Sequence, residues 1–388
     1  MSIKLSVPQA QELKPRITVF GVGGAGGNAV NNMIEAGLEG VEFVVANTDA
    51  QALALSSADR RIQLGASITE GLGAGSRPEV GCAAAEEALH EIAEHLQGAH
   101  MVFITAGMGG GTGTGASPVV ADIAKRLGAL TVAVVTKPFF YEGRQRMKNA
   151  EEGIEELQRN VDTLIVIPND RIGLVVDKGT PLLTAFSVAN NVLKHAVQGI
   201  ADLVLVPGLV NLDFADVRTV METSGRAVIG MGTAKGESRG LEAAKKAISN
   251  PLLENSSIDG ARGILINVTG GLDLTHDDMM EASSLIYDSA DRNANIIIGS
   301  VINPDMEDEV RVTVIATGFP PDVPAEKKPE PARALKKWVP QAISLRVSER
   351  ILSKTLINIS SAEPLPDGMP YEEPLDIPTF LRRTQMEL

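Results

Sequence analysis

Residues 101–115, MVFITAGMGGGTGTG, combine a short apolar strand with a loop, Gly109–Gly115, that holds five glycines in seven residues. Glycines leave backbone N–H groups open to a ligand, and the two threonines of the loop add hydroxyl groups that can bind phosphate oxygens. The stretch therefore predicts a phosphate-binding loop between strand 101–105 and a helix at about 117–127. Because G-x-x-x-x-G-K-[ST] occurs nowhere in the chain, the loop is not a P-loop.

A second glycine-rich stretch, Gly21–Gly27 (GVGGAGG), follows the apolar strand 16–22 and precedes a predicted helix at 28–36. It fits the G-x-G-x-x-G pattern of loops that bind a pyrophosphate at a helix N-terminus. Two such loops indicate a nucleotide with a long phosphate chain. Asp49, which follows the predicted strand 41–46, keeps an NAD(P)-dependent Rossmann oxidoreductase open as an alternative.

Strands and helices alternate along the first half of the chain, and the strands are continuously apolar. This pattern is typical of a parallel sheet covered on both faces. We predict an α/β fold with a Rossmann-like domain at 16–179, a long central helix in 180–206 and a second α/β domain with a mixed sheet at 207–319. The last two strands, 295–302 and 309–317, are joined by a turn-rich segment that could close a hairpin. The other predicted helices are 78–97, 141–160, 213–223, 238–249 and 275–291, and the other predicted strands are 130–135, 163–167, 226–232 and 263–269.

Composition excludes several classes of protein. The 388 residues carry a formal net charge of −14, and so acidic a chain repels the phosphate backbone of nucleic acids. Cys82 is the only cysteine, which excludes a disulfide framework and a cysteine-based zinc site. The five histidines form no ligand pattern, so we expect no structural metal. No apolar run approaches 18 residues, and we expect a cytoplasmic protein that does not insert into membranes.

The end of the chain differs in composition from the rest. Residues 320–388 hold 11 of the 21 prolines and a single glycine. This predicts a disordered linker at 320–371 followed by a terminal peptide at 372–388. Residues 1–15 lack the apolar stretch of a secretory signal and are predicted to be a flexible N-terminal segment.

Gly109–Gly115 matches the signature of the tubulin superfamily, and the motifs around it resemble those of its bacterial cell-division family, FtsZ. The resemblance runs from about Ile17 to Phe319 and resumes at Leu375–Arg383. It implies a GTPase that assembles with itself into head-to-tail filaments of the division ring at mid-cell. It makes 16–179 a GTP-binding domain and 207–319 a GTPase-activating domain, and it implies GTP or GDP with Mg²⁺. A non-hydrolysing scaffold of the same family is a further alternative.

The resemblance also implies which residues hold the nucleotide. Three loops would contact the phosphates, 138–146 the ribose, and two asparagines the guanine, with Phe186 stacking on the base. These residues are Gly23, Gly24, Asn28, Ala74, Gly75, Gly109, Gly110, Gly111, Thr112, Gly113, Thr114, Gly115, Pro138, Glu142, Arg146, Asn169, Phe186 and Asn190. Considered without the resemblance, Glu142 and Arg146 are a surface (i, i+4) ion pair and Phe186 is a core residue.

Residues 211–216, NLDFAD, match the family's catalytic loop, so the resemblance implies catalytic roles for Asn211, Asp213 and Asp216. The residues alone favour an N-cap and a helix-dipole interaction. Asp213 follows Asn190 by 23 residues. Helix up to about residue 206 would separate the two by roughly 24 Å. We therefore expect the aspartates to reach the nucleotide of the next subunit in a head-to-tail stack, a contact that does not close.

Leu375–Arg383, LDIPTFLRR, resembles the family's terminal peptide, which docks onto membrane-tethering and regulatory division proteins. Its apolar residues Ile377, Phe380 and Leu381 could fill a groove on such a partner.

Overall fold

The computed structural model describes residues 14–174, 176, 179–206, 212–222, 225–250, 258 and 260–319. The predictions for residues 1–13, Asn211, the linker and the terminal peptide fall outside these residues.

The strands are β1 Ile17–Val22, β2 Val41–Asn47, β3 Arg60–Gln63, β4 Met101–Gly107, β5 Leu130–Lys137, β6 Thr163–Pro168, β7 Gly225–Lys235, β8 Gly263–Gly270, β9 Asn295–Ile302 and β10 Glu309–Thr317. The helices are α1 Gly23–Glu35, α2 Ala50–Ala54, α3 Ala66–Thr69, α4 Pro78–Glu87, α5 Leu89–Leu96, α6 Thr112–Arg126, α7 Arg144–Asn160, α8 Asn169–Ile172, α9 Leu182–Leu205, α10 Phe214–Met221, α11 Arg239–Ile248 and α12 His276–Ser289, with a 3₁₀ turn at Phe140–Glu142.

These strands form one sheet in the order β3-β2-β1-β4-β5-β6-β7-β10-β8-β9. The strands from β3 to β7 in this order are parallel, whereas β10 is antiparallel to both β7 and β8. Successive residues of β1 enter two apolar clusters on opposite faces of the sheet, Val19 one and Phe20 the other. The parallel α/β core is therefore confirmed. The strands predicted for the second domain, β7, β10, β8 and β9, are mixed as predicted, but they continue the same sheet instead of forming a second one. The domain boundaries stay a prediction.

The predicted hairpin of β9 and β10 is wrong, because β8 lies between them. Among the described residues, β9 pairs only with β8 and in parallel, while β10 pairs with β7 and β8. The physical reason lies in burial. β10 is buried along most of its length and so requires a neighbour on each side, whereas the first half of β9 is partly exposed and tolerates an edge.

Several predicted boundaries need correction. The helix predicted at 28–36 begins at Gly23, and the one predicted at 117–127 begins at Thr112. Five of the seven residues of Gly21–Gly27 and four of the seven residues of Gly109–Gly115 are thus helical despite the poor helix propensity of glycine. Close packing explains this, since a methyl group at Gly115 would overlap the carbonyl oxygen of Pro78 on α4. The helix predicted at 78–97 is two helices, and the short elements β3, α2 and α3 were not predicted.

The long helix α9 packs against both halves of the sheet. Its buried side chains, among them Leu193, Val197 and Ile200, share one apolar cluster with Met33 of α1 and Ile229 of β7. α9 therefore runs across the junction at which β6 and β7 join. Within the described residues, no helix is both long and apolar enough to cross a bilayer.

Candidate functional site

A cleft of about 820 Å³, its open mouth included, lies at the carboxyl ends of the parallel strands. This edge is where ligands bind in open α/β sheets. Eleven of the residues predicted to hold a nucleotide line the cleft, namely Gly24, Gly110, Gly111, Thr112, Gly113, Pro138, Glu142, Arg146, Asn169, Phe186 and Asn190. Val22, Gly107, Thr136 and Leu193 belong to the same wall and were not predicted. Only their position in the sequence could have pointed to them, since Val22, Gly107 and Thr136 stand at or near the ends of β1, β4 and β5.

The glycines of the two loops have two different tasks. A methyl group added to Gly24 or Gly110 would meet no atom within 4 Å, so their backbones are open to a ligand. At Gly113 it would lie 2.6 Å from the carbonyl oxygen of Gly107, and at Gly109 it would lie 2.6 Å from that of Arg146. These glycines serve close packing. Gly109 also has a φ of 101°, which favours glycine.

The two threonines of the loop also differ. The Thr112 hydroxyl lies 2.6 Å from the hydroxyl of Thr48 at the cleft. The Thr114 hydroxyl instead accepts a hydrogen bond of 2.8 Å from the backbone N–H of Gly109 and is buried. Of the two side chains, the structure thus brings Thr112 to the cleft and uses Thr114 to shape the loop beneath it.

The other predicted residues outside the cleft wall surround it in different ways. Gly23 lies beside Gly113, and Asn28 is exposed on α1. Ala74 is buried against Gly111, so the 74–76 loop touches the phosphate loop from outside. The roles of Gly23, Asn28 and the 74–76 loop as nucleotide contacts stay a prediction.

The far end of the cleft is built by Asn169, Phe186 and Asn190. Asn169 is 6% exposed, and its Oδ1 has no hydrogen-bond partner in the structure. A buried acceptor without a partner is costly, so a ligand that donates to this oxygen would relieve the cost. The Phe186 ring is 38% exposed and meets the Phe139 ring edge to face, with 5.3 Å between centroids. An amide beside an accessible ring fits a flat, polar base.

The Glu142–Arg146 pair is present, with 3.1 Å between Oε2 and Nη1. It is more than a surface pair, because the Glu142 side chain is only 14% exposed and also accepts a 2.8 Å hydrogen bond from the Phe139 N–H. Asp170 accepts from the Phe140 N–H at 2.9 Å and so ties this loop to Asn169. Burial, Glu142 and Asp170 together raise the pKa of Tyr141 beside them. Sequence reasoning did not assign a role to Asp170.

Asp49 does not fit the dehydrogenase alternative. Its carboxylate accepts hydrogen bonds from the backbone N–H groups of Gln51 and Ala52 and so caps α2. The sequence signal that kept that alternative open is thus explained by helix capping.

The acidic pair lies at the opposite edge of the sheet. Asp213 caps α10 by accepting a 2.8 Å hydrogen bond from the Asp216 N–H, and both side chains are exposed. Between them, Phe214 contacts the ring of His100 with 6.3 Å between centroids. His100 directly precedes β4, and the seven residues of β4 carry the chain roughly 23 Å towards the cleft. A subunit therefore cannot bring these carboxylates to a ligand in its own cleft.

No group of three or more His, Cys, Asp or Glu in the described part of the chain lies close enough to hold a metal ion.

Comparison with known proteins identifies the family. The GTPase domain of the Tubulin/FtsZ family matches residues 16–177, and the C-terminal domain of the FtsZ family matches residues 225–320. The cell division protein FtsZ of a Wolbachia species is 50% identical over 99% of this chain and the whole of its own length. That of Caulobacter vibrioides is 60% identical over 85% of this chain. The chain spans 65% of the length of the Caulobacter relative and 54% of that of Bartonella bacilliformis.

Solved structures agree with the sequence relatives. FtsZ of M. jannaschii superposes with a TM-score of 0.76 at 45% identity and covers 83% of this chain and 96% of its own. CetZ2 of Haloferax volcanii, at 20% identity and a TM-score of 0.67, shares the fold. None of these relatives supports the oxidoreductase alternative. From the two matched domains and the full-length relative, we conclude that the chain belongs to the FtsZ family of tubulin-like GTPases.

Proposed function

We propose that this protein is a GTP-dependent polymerising protein of bacterial cell division that hydrolyses GTP at the contact between subunits. One observation carries the proposal. The glycine-lined cleft and the exposed pair Asp213 and Asp216 lie at opposite edges of one sheet. Two parts that belong to one hydrolytic site therefore meet only when subunits stack head to tail.

Binding of the nucleotide uses the cleft along its length. The open backbone at Gly24 and Gly110 takes the phosphates, Glu142 and Arg146 hold the ribose, and Asn169 and Asn190 read the guanine edge. The Oδ1 of Asn169, which has no partner among the described residues, supports the placement of guanine at this end of the cleft. Guanine has N–H donors at N1 and at the 2-amino group, where adenine has an acceptor and a C–H group. A Mg²⁺ ion bound with the nucleotide would be held mainly by phosphate oxygens and water and would neutralise charge on those oxygens.

Hydrolysis uses the neighbour's Asp213 and Asp216, and the family resemblance adds Asn211 of the same sequence motif. The two carboxylates orient and polarise the water that attacks the γ-phosphate. Because the contact is heterologous and does not close, it produces a filament. Loss of the γ-phosphate then weakens the contact between subunits.

In the cell, the filament forms the division ring at mid-cell. Leu375–Arg383 docks onto membrane-tethering and regulatory division proteins and so holds the filament near the membrane. In this proposal, residues 16–179 bind GTP and residues 207–319 stimulate its hydrolysis. The linker at 320–371 separates these domains from the terminal peptide.

The proposal is tested with a panel of nucleotides and one variant. The full chain is expected to bind GTP and GDP in preference to ATP and NAD(P). Asp216→Ala is expected to bind GTP and sediment as polymer but to turn over at least about tenfold more slowly, since it loses a group that acts only in the transition state. Glu242→Ala, an exposed acid in the first turn of α11, is the matched control and keeps full turnover. Full turnover by Asp216→Ala, or tighter binding of NAD(P) than of GTP, contradicts the proposal.

A further inference from the structure

The helix that begins between the two aspartates is attached to both halves of the sheet. At its C-terminal end, Thr163 of β6 donates to the Met221 carbonyl at 2.5 Å, and Thr317 of β10 donates to the Val220 carbonyl at 3.2 Å. At its N-terminal end, the ring contact between Phe214 and His100 is edge to face, with an interplanar angle of 78°. α10 is thus fixed at its end by hydroxyl groups, and at its start Phe214 packs against the apolar cluster of α9 and meets the ring of His100.

The ring of His100 is itself held in place. The ring Nδ1 accepts a 3.0 Å hydrogen bond from the Arg16 backbone N–H, and the backbone N–H of His100 donates to the Arg16 carbonyl at 2.8 Å. The Leu130 N–H donates to the His100 carbonyl at 2.9 Å. These bonds extend the pairing of β4 with β1 and β5 by one residue beyond the strand. Both the backbone and the ring plane of His100 are therefore fixed.

Arg16 strengthens this support from the other side. Its guanidinium binds both carboxylate oxygens of Glu42, at 2.7 and 2.8 Å, and donates to the Gln97 carbonyl at 2.7 Å. A bidentate pair of this kind fixes direction as well as distance. The surface that Phe214 meets is thus part of the rigid edge of the sheet.

We infer that His100 is a positioning residue for hydrolysis: its braced ring contacts Phe214 and thereby sets the direction in which the first turn of α10 presents Asp213 and Asp216. Phe214 is the first residue of the helix, and Asp213 is hydrogen-bonded to Asp216 across it. A shift of the Phe214 ring therefore moves both carboxylates together. The inference rests on the proposed role of these aspartates.

The test compares three substitutions at His100 in the full chain. Without the ring, small displacements of the carboxylates slow the reaction, so His100→Ala and His100→Gln are expected to lose about five- to tenfold in maximal GTP turnover. His100→Phe, which keeps a ring against Phe214, is expected to retain at least about half of the turnover. GTP affinity stays within about twofold of wild type, because the cleft lies at the other edge of the sheet. Turnover is expressed per sedimented subunit, because His100 lies at the edge that meets the neighbouring subunit and a change in assembly has to be separated from a change in catalysis. His90→Ala, an exposed histidine on α5, is the matched control and has no effect.

A double variant tests the route through Phe214. If His100 acts by this contact, His100→Ala adds less than about twofold to the loss caused by Phe214→Leu, because the two residues act as one unit. Unchanged turnover in His100→Ala, equal losses in His100→Phe and His100→Ala, or multiplicative losses in the double variant overturn the inference. The Asp216→Ala variant separates this failure from a failure of the proposed function, since it loses turnover whether or not His100 positions it.

Discussion

Gly110 and Gly115 stand in the same glycine-rich stretch but have different surroundings. Gly110 faces the open cleft, whereas Gly115 lies against the backbone of α4, where even a methyl group would overlap the Pro78 carbonyl. Composition alone treats them as equivalent. The structure separates a glycine that leaves room for a ligand from one that lets two helices approach.

We predict that Gly110→Ala folds normally and binds GTP at least about tenfold more weakly, because its methyl group enters the space of the phosphates. Gly115→Ala is expected to lower the free energy of unfolding by about 1–3 kcal/mol, because the added atom forces α4 and α6 apart. Urea unfolding and a nucleotide titration of both variants check this. If Gly110→Ala lowers the free energy of unfolding as much as Gly115→Ala does, Gly110 serves packing and not ligand access to the cleft.

Asn169 provides the second prediction at this scale. Asn169→Ala removes an acceptor that has no partner among the described residues, so its main effect falls on the bound base. We expect the free energy of GTP binding to become less favourable by about 1–3 kcal/mol, which is the cost of leaving a donor of the ligand unpaired. The free energy of unfolding is expected to stay unchanged. Isothermal titration measures this, with the exposed Asn293 changed to alanine as the control. Equal affinities for wild type and Asn169→Ala would remove Asn169 from guanine recognition.

At the scale of elements, α9 was predictable because apolar side chains on nearly all sides of a 24-residue helix favour burial. The burial holds from Ala189 onwards, whereas the first turns are exposed, with Leu183 at 83%. The β9–β10 hairpin was mispredicted because a turn signal reports a change of direction and not which strand becomes the neighbour. The early starts of α1 and α6 were missed because helix propensity works against glycine, and only packing against β4 and α4 reverses it. Of the site, the glycine loops were visible in the sequence. Asn169 and Asp213 needed the family resemblance. Asp170 and His100 were not predicted, because the residues that they contact, Phe140 and Phe214, belong to no motif with them.

α9 also carries a titratable group whose stability effect depends on pH. Burial raises the pKa of Asp202 to about 6, although Gln198 and Arg311 act in the other direction. Its pKa in an unfolded chain is about 3.9, so the folded state binds the proton more tightly and Asp202 contributes stability that is present below pH 4 and lost as the pH rises through 6. Asp202→Asn is therefore expected to raise the Tm at pH 7.5 by about 2–4 °C relative to wild type.

That advantage should shrink as the pH falls to 4.5, where Asp202 is protonated in the folded protein. Burial lowers the pKa of the nearby His195 to about 4, so His195 stays mostly neutral across this window and does not obscure the comparison. Scanning calorimetry of both proteins at the two pH values measures the difference. A Tm gain that is the same at both pH values would contradict the assignment to Asp202.

α11 and α12 are joined by a buried ion cluster. Arg239 is 6% exposed and donates to both carboxylate oxygens of Asp278 and to the carbonyl and carboxylate of Asp273. Arg239→Ala leaves the buried Asp278 without its cation and is expected to lower the free energy of unfolding by about 3–5 kcal/mol. Urea unfolding checks this, with the exposed Arg292 changed to alanine as the control. A loss below about 1 kcal/mol would mean that helix packing alone holds this part of the fold.

At the scale of the whole molecule, the sheet keeps the two parts of the proposed hydrolytic site apart. Asn190 of the cleft and Leu205 at the end of α9 are separated by 15 residues of helix, or roughly 22 Å. Asp213 and Asp216 lie beyond that end, beside the start of β4. The fold thus makes the distance between cleft and carboxylates a fixed property of each subunit, and only a second subunit can supply what the first lacks.

GTP turnover per subunit, measured over a range of protein concentrations from far below to well above the onset of assembly, tests this shared site most directly. We predict a rate near zero at low concentration that rises once subunits begin to stack. Asp216→Ala is expected to lack this rise although it still assembles. A rate per subunit that stays constant down to the lowest concentration would mean that each chain carries a complete active site, and it would contradict a site shared between subunits.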